Sequence, residues 1–318
     1  MTAQFRRAAF AAFTTIVLAA CDAPAPTPEV ALRTDALETS NGIVVNGIVV
    51  NGIVVNGIVV NGIVVNGIVV NGMLTNGLAA GDGTNGLAAN GLVEASFQTP
   101  EFQAWFARDV AYSDMVMTYV ARCALPASVT LTYTTDGSSH GWSGGLGLAP
   151  LWGAGQPIPA AEQELVSACL AAHVNRYGQH VSISVRGVET SGALIATTNP
   201  EEAAYSWAEG CFFGNLFDGT GTWSAMDAGS LDPTTSTPRG CVGAFGQPTP
   251  CTPMAGAGRC DQICAKDPTG AAWASCAVAG RTFRPVQVKL RAASVFHCGD
   301  GVCQFTESAE TCTLDCAQ

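Results

Sequence analysis

From Asn41 to Glu94 the chain returns to Asn-Gly every five residues. NGIVV occurs six times without change, Asn41 to Val70, and NGMLT, NGLAA, NGLAA and NGLVE follow, with GDGT at Gly81 to Thr84 breaking the run. A period of five fits neither a helix nor a flat strand. Ile-Val-Val is stiff at χ1 and favours extended backbone. Asn-Gly tolerates positive φ and marks a turn. Each pentad therefore reads as a short strand followed by a corner, and stacked corners give a β-solenoid with rungs about 4.8 Å apart. Two other readings are open. From Asn41 to Ala80 there is no charge and no proline, the composition of a self-associating β-stack. The glycines and asparagines also suit a flexible spacer.

The block resembles the pentapeptide-repeat family, whose members wind as a square right-handed β-helix. The resemblance covers residues 41–94. With Ile43 at the central apolar position, Gly42 and Asn41 depart from that family's pattern.

Before the repeats, Arg6 and Arg7 precede an apolar run, Ala8 to Ala20, too short for a spanning helix. This reads as an export signal, residues 1–20. Its end, Leu18-Ala19-Ala20-Cys21, resembles the bacterial lipobox. That resemblance implies lipidation (palmitate among the acyl chains) at Cys21 and a membrane anchor. Residues 21–40 form a Pro-rich tether. The expected location is the cell envelope, extracytoplasmic, with the outer membrane or cell surface favoured over the inner membrane.

Residues 95–293 have an ordinary globular composition and enough length for one core. Expected elements are a helix over 100–124, a strand over 129–134, a Gly-rich loop over 141–155, a helix opened by Pro159, strands over 181–185 and 211–217, a short helix over 201–208, loops over 218–258 and a last strand over 283–290. That is an α+β fold with helices beside a mostly antiparallel sheet. The fold class expected for the whole is therefore multi-part: a short β-solenoid followed by a disulfide-bonded α+β domain.

The tail, residues 294–318, contains CGDGVCQFTESAETCTLDC. It is too small for an apolar core and needs its cysteines. With Cys21 set aside, eight cysteines lie in the domain (Cys123, Cys169, Cys211, Cys241, Cys251, Cys260, Cys264, Cys276) and four in the tail (Cys298, Cys303, Cys312, Cys316). Both counts are even, as a disulfide framework in an oxidising compartment requires. The tail lacks a CxxC pair, which argues against zinc. It resembles CGDGxC cysteine-rich segments at the ends of exported bacterial proteins. Asp300, Glu307, Glu310 and Asp315 are its hard oxygen groups, and Asp300, Glu307 and Asp315 are weak Ca²⁺ candidates. No other cofactor is expected.

Loss of Arg6 and Arg7 leaves 12 basic and 25 acidic residues, net −13, which disfavours nucleic acid as a partner. Gly141-Trp142-Ser143-Gly144-Gly145 matches the G-x-S-x-G elbow of α/β-hydrolases, making Ser143 a weak nucleophile candidate. The flanks are polar before it and Gly-rich after it, so a plain loop competes. His140, His173 and His180 lack a second ligand pair at metal spacing. Trp207, Phe212, Phe213, Phe217 and Trp223 suit either a sugar-binding surface or a core.

The whole order resembles bacterial lipoproteins with NGxxx repeats and a CGDGxC tail. The expected role is non-enzymatic display, adhesion or interaction, with a glycan or envelope protein as partner and self-association through the repeats. The alternatives are a serine hydrolase using Ser143 and a structural protein assembling through the repeats.

Overall fold

The structure, a computed structural model, describes residues 38–41, 85–174, 181–227, 242, 254–291 and 308–316. All fall in one compact unit, Thr34–Gln318. The lipobox cysteine Cys21, the repeats from Gly42 to Thr84, Cys241, Cys251, Cys298, Cys303, Asp300, Glu307, the Asp315 side chain, His180 and His297 lie outside the described residues.

The last two pentads are built into the globular fold. NGLAANGLVE does not repeat the strand-and-corner pattern: Leu87–Asn90 is a helical turn, α1, and Glu94–Gln98 a 3-10 turn. The physical reason is composition, since Leu-Ala-Ala replaces Ile-Val-Val and favours helix. Leu87 and Leu92 are fully buried, and the Trp152 indole donates to the Leu87 carbonyl at 2.6 Å.

The expected helix over 100–124 is two helices, α2 (Pro100–Arg108) and α3 (Val110–Ala124). Asp109 breaks them with extended φ/ψ and caps α3 by accepting from the Tyr112 N–H at 3.0 Å. Thr99 caps α2 in the same way. The hairpin β2 (Thr130–Thr135) and β3 (Ser138–Ser143) turns on Asp136-Gly137, both at positive φ. Helix α4 (Pro150–Gly153) is capped by the buried Glu162 of α5 (Ala160–Ala172), whose carboxylate accepts from Leu151 N–H and Trp152 N–H.

The main sheet has six strands, ordered β1 (Glu38–Asn41), β4 (Val181–Gly187), β11 (Val286–Leu290), β5 (Trp207–Asn215), β6 (Gly221–Met226) and β7 (Ala255–Arg259). All neighbours are antiparallel except β6 and β7. β1 is thus an edge strand donated from just before the repeats. A second sheet, β8 (Cys264–Lys266), β9 (Trp273–Val278) and β10 (Arg281–Phe283), follows the short helix α7 (Cys260–Ile263). In the tail, Thr313–Cys316 forms a turn of helix, α8.

Alternation along the strands gives the main sheet two unlike faces. Ile183, Val185, Val286, Val288, Leu290 and Phe212 face α5 and join the helical core with Phe97, Phe102, Phe106 and Trp142. Cys211 and Phe213 on the other face join a smaller core with Ala257, Cys260, Trp273, Cys276 and Phe283. Three bridges close within the described residues: Cys123–Cys169 ties α3 to α5, Cys211–Cys260 ties β5 to α7, and Cys264–Cys276 ties β8 to β9. Cys312 and Cys316 are also disulfide-bonded. No helix of the described residues is long and apolar enough to cross a membrane.

Candidate functional site

A cleft opens on the second face of the main sheet. It measures about 340 Å³, and its floor is Arg186, Gln287 and Lys289. The register places Arg186 directly across from Gln287, and Lys289 across from Ser184. The walls come from residues 194–197, from Glu202, and from Ala271-Ala272 in the β8–β9 connection.

Each group is held by local structure. Helix α6 (Asn199–Ala204) starts at Thr198, whose hydroxyl accepts from the Glu201 N–H at 3.2 Å. Pro200 fits the first turn. Glu201 is buried and accepts from Ser184 Oγ at 2.5 Å, which docks α6 on β4. One turn position later, Glu202 Oε1 accepts from Thr197 Oγ1 at 2.6 Å and from Arg186 Nη1 at 3.3 Å. The Thr197 hydrogen bond, then the Arg186 charge, hold the Glu202 carboxyl below the usual carboxylate range. Asp267 fixes the opposite wall by accepting from Thr269 and from the Ala272 N–H. These bonds, that of the Thr269 hydroxyl first, draw its pKa down to about 2.

Arg186 is 9% exposed. Its Nε and Nη2 are buried and have no hydrogen-bond partner among the described residues. Those two nitrogens form the edge of a guanidinium that grips a carboxylate with two parallel bonds. The lining carries two cations, Arg186 and Lys289, and one acid, Glu202. This arrangement favours an anion.

Ser143 lies elsewhere. It ends β3 and is exposed, its Oγ 3.4 Å from Thr130 Oγ1. His140 and Trp142 point to the opposite face of β3, where Asp114 Oδ1 takes both the His140 Nδ1 (2.9 Å) and the Trp142 Nε1 (2.8 Å). His140 of the hairpin and Asp114 of α3 therefore meet on the face away from the serine. The glycines of GWSGG answer to packing. A Cβ on Gly144 would stand 2.2 Å from the Pro126 carbonyl oxygen, and one on Gly145 2.7 Å from that of Arg122.

His173 is buried at the C-terminus of α5, its Nδ1 2.8 Å from the Cys169 carbonyl and within 4 Å of both sulfurs of the Cys123–Cys169 bridge. Those sulfurs are bonded to each other and so are poor ligands for an ion. The same holds for Cys211, Cys264 and Cys276, although Cys211 Sγ lies 3.5 Å from Cys264 Sγ across the two bridges. Of the aromatic group, Phe212, Phe213 and Phe217 are core, and Trp207 and Trp223 are half-buried against the two cores. In the tail, Glu310 is exposed beside the Ser308–Thr311 turn.

Sequence reasoning did not single out Arg186, Glu202 or Lys289. The signal was partial: alternation in VSISVRG and VQVKL puts Ser184, Arg186, Gln287 and Lys289 off the apolar face, but nothing local pairs the two strands.

Compared with known proteins, the GLTT repeat family matches residues 39–64 and 52–79, in six copies. The match makes this segment a repeat and extends over no other part of the chain. Searches of curated proteins and of solved structures found no match.

Proposed function

We propose that the chain is an exported, lipid-anchored envelope protein whose α+β domain binds a ligand without transforming it. Cys21 carries the anchor. The repeats, wound as a β-solenoid akin to the pentapeptide-repeat family, hold the domain away from the membrane. The tail closes the chain as a small cysteine-rich cap. The observation that carries the reading is the cleft of Arg186, Gln287 and Lys289, whose acid, Glu202, is already engaged by Arg186 and Thr197. Such a lining offers recognition and no poised nucleophile. The bridges support export, because three cysteine pairs at bonding distance suit an oxidising compartment.

The test is retention of the mature full chain on a panel of glycans and envelope fractions, run beside a fluorophosphonate probe. Binding without serine labelling is expected. Labelling that disappears in Ser143→Ala would replace this reading with a hydrolase, and retention on no member of the panel would overturn it.

A further inference from the structure

We propose that the cleft takes a small organic carboxylate of net charge −1, about the size of one sugar acid, gripped at the Nε–Nη2 edge of Arg186. The inference rests on the reading of the cleft as a binding site and adds the class of ligand.

Burying the Arg186 guanidinium is costly. A buried guanidinium edge without a protein partner loses hydration and regains no protein hydrogen bond. Arg186 keeps only one bond, from Nη1 to Glu202. Its other two donor nitrogens are closed off from solvent and have no partner among the described residues, on a side chain that lines the cleft. Glu202 does not use them, because Thr197 holds its carboxylate on the Nη1 side. A planar, two-oxygen anion matches that edge. To grip a ligand there, the guanidinium has to turn about its last torsions, and that rearrangement is part of the proposal.

Charge sets the ligand's charge. Arg186 and Lys289 against Glu202 leave an excess of one positive charge among the lining side chains, with the Asp227 carboxylate behind them on the Gln287 amide. That excess stands in a chain whose mature net charge is −13, so most of the surface repels the anion that the cleft attracts. Lys289 and Gln287 project from the same strand face as Arg186 reaches from β4. Gln287 already donates its amide to Asp227, so Lys289 is the group placed to meet the polar substituents of a ligand, while Leu194, Ile195, Ala271 and Ala272 supply the apolar walls. The cleft volume, about 340 Å³, accommodates one ring and not a polymer segment buried along its length.

The experiment is equilibrium dialysis of the detergent-solubilised mature chain against radiolabelled D-glucuronate, with D-glucose as the neutral control. One glucuronate per chain and no retained glucose are expected. Arg186→Lys keeps the charge and loses the fork, and should weaken glucuronate binding about tenfold or more. Lys289→Gln, on a half-buried position that the fold tolerates, should weaken it several-fold and serves if Arg186→Lys fails to fold. Glucuronate and glucose bound alike, no glucuronate bound at millimolar concentration, or unchanged affinity in both variants would overturn the proposal. If the chain is retained on neutral glycans yet ignores glucuronate, the carboxylate inference fails and the binding function stands. If it is retained on nothing, both fail.

Discussion

The two faces of the main sheet are stabilised by different means. The face against α5 is a continuous apolar core in which Phe97, Phe102, Phe106, Tyr133 and Trp142 cluster, some stacked and some edge to face, with Phe102 and Tyr133 at 5.2 Å and 89°. The other face buries few large side chains and is pinned by Cys211–Cys260 and Cys264–Cys276. One side is held by the removal of apolar area from water. The other is held by covalent closure of loops, which frees its polar positions for a cleft. The binding groups sit on the side with the smaller apolar core.

The sharpest way to break this contrast is to damage each face separately. Phe102→Ala empties the centre of the aromatic cluster and should cost about 3–5 kcal/mol by urea unfolding. A loss below about 1 kcal/mol would mean that the helical face is not held by packing. Replacing Cys264 and Cys276 together by Ala opens a loop of 12 residues and should cost about 3 kcal/mol. Hydrogen exchange should rise in β8–β10 and stay slow in α3 and α5. An even rise through both regions would show that the faces are not separately held.

Smaller changes sharpen the picture. Asp114→Ala strips Trp142 Nε1 and His140 Nδ1 of their common acceptor and should cost about 1–3 kcal/mol. Its trace should be a shift of Trp142 fluorescence, without effect on ligand retention. Acid should act on the cleft side through Asp267. Its pKa is depressed to about 2 from 3.8, so the stability it contributes is complete above about pH 4. That contribution is lost as pH falls toward 2. Asp267→Asn should remove that part of the acid sensitivity, read by proteolysis of the β8–β9 connection at pH 2 to 4.

The apolar face was largely legible in the sequence. VTLTYT and VSISV alternate, and the helix opened by Pro159 carries its apolar residues at helical spacing. The disulfide-held face was not. AGAGR, CAK and WASCAV lack the alternation of a half-buried strand, and the last two are tied to each other by Cys264–Cys276 instead. Strand β3 was hidden by its polar residues, SSHGWS, although the Asp136-Gly137 turn signals a hairpin. The break at Asp109 has no Gly or Pro to announce it. Arg186 and Lys289 were invisible as a site because their strands are a hundred residues apart in sequence and neighbours only in the sheet.

Export is the central claim, since the bridges that hold the cleft side need an oxidising compartment. Non-reducing peptide mapping by mass spectrometry of the chain isolated from its own cells tests this most directly. The expected result is an acylated Cys21 at the N-terminus together with peptides linked through Cys123–Cys169, Cys211–Cys260 and Cys264–Cys276. An intact Met1 with free thiols at these six positions would contradict it.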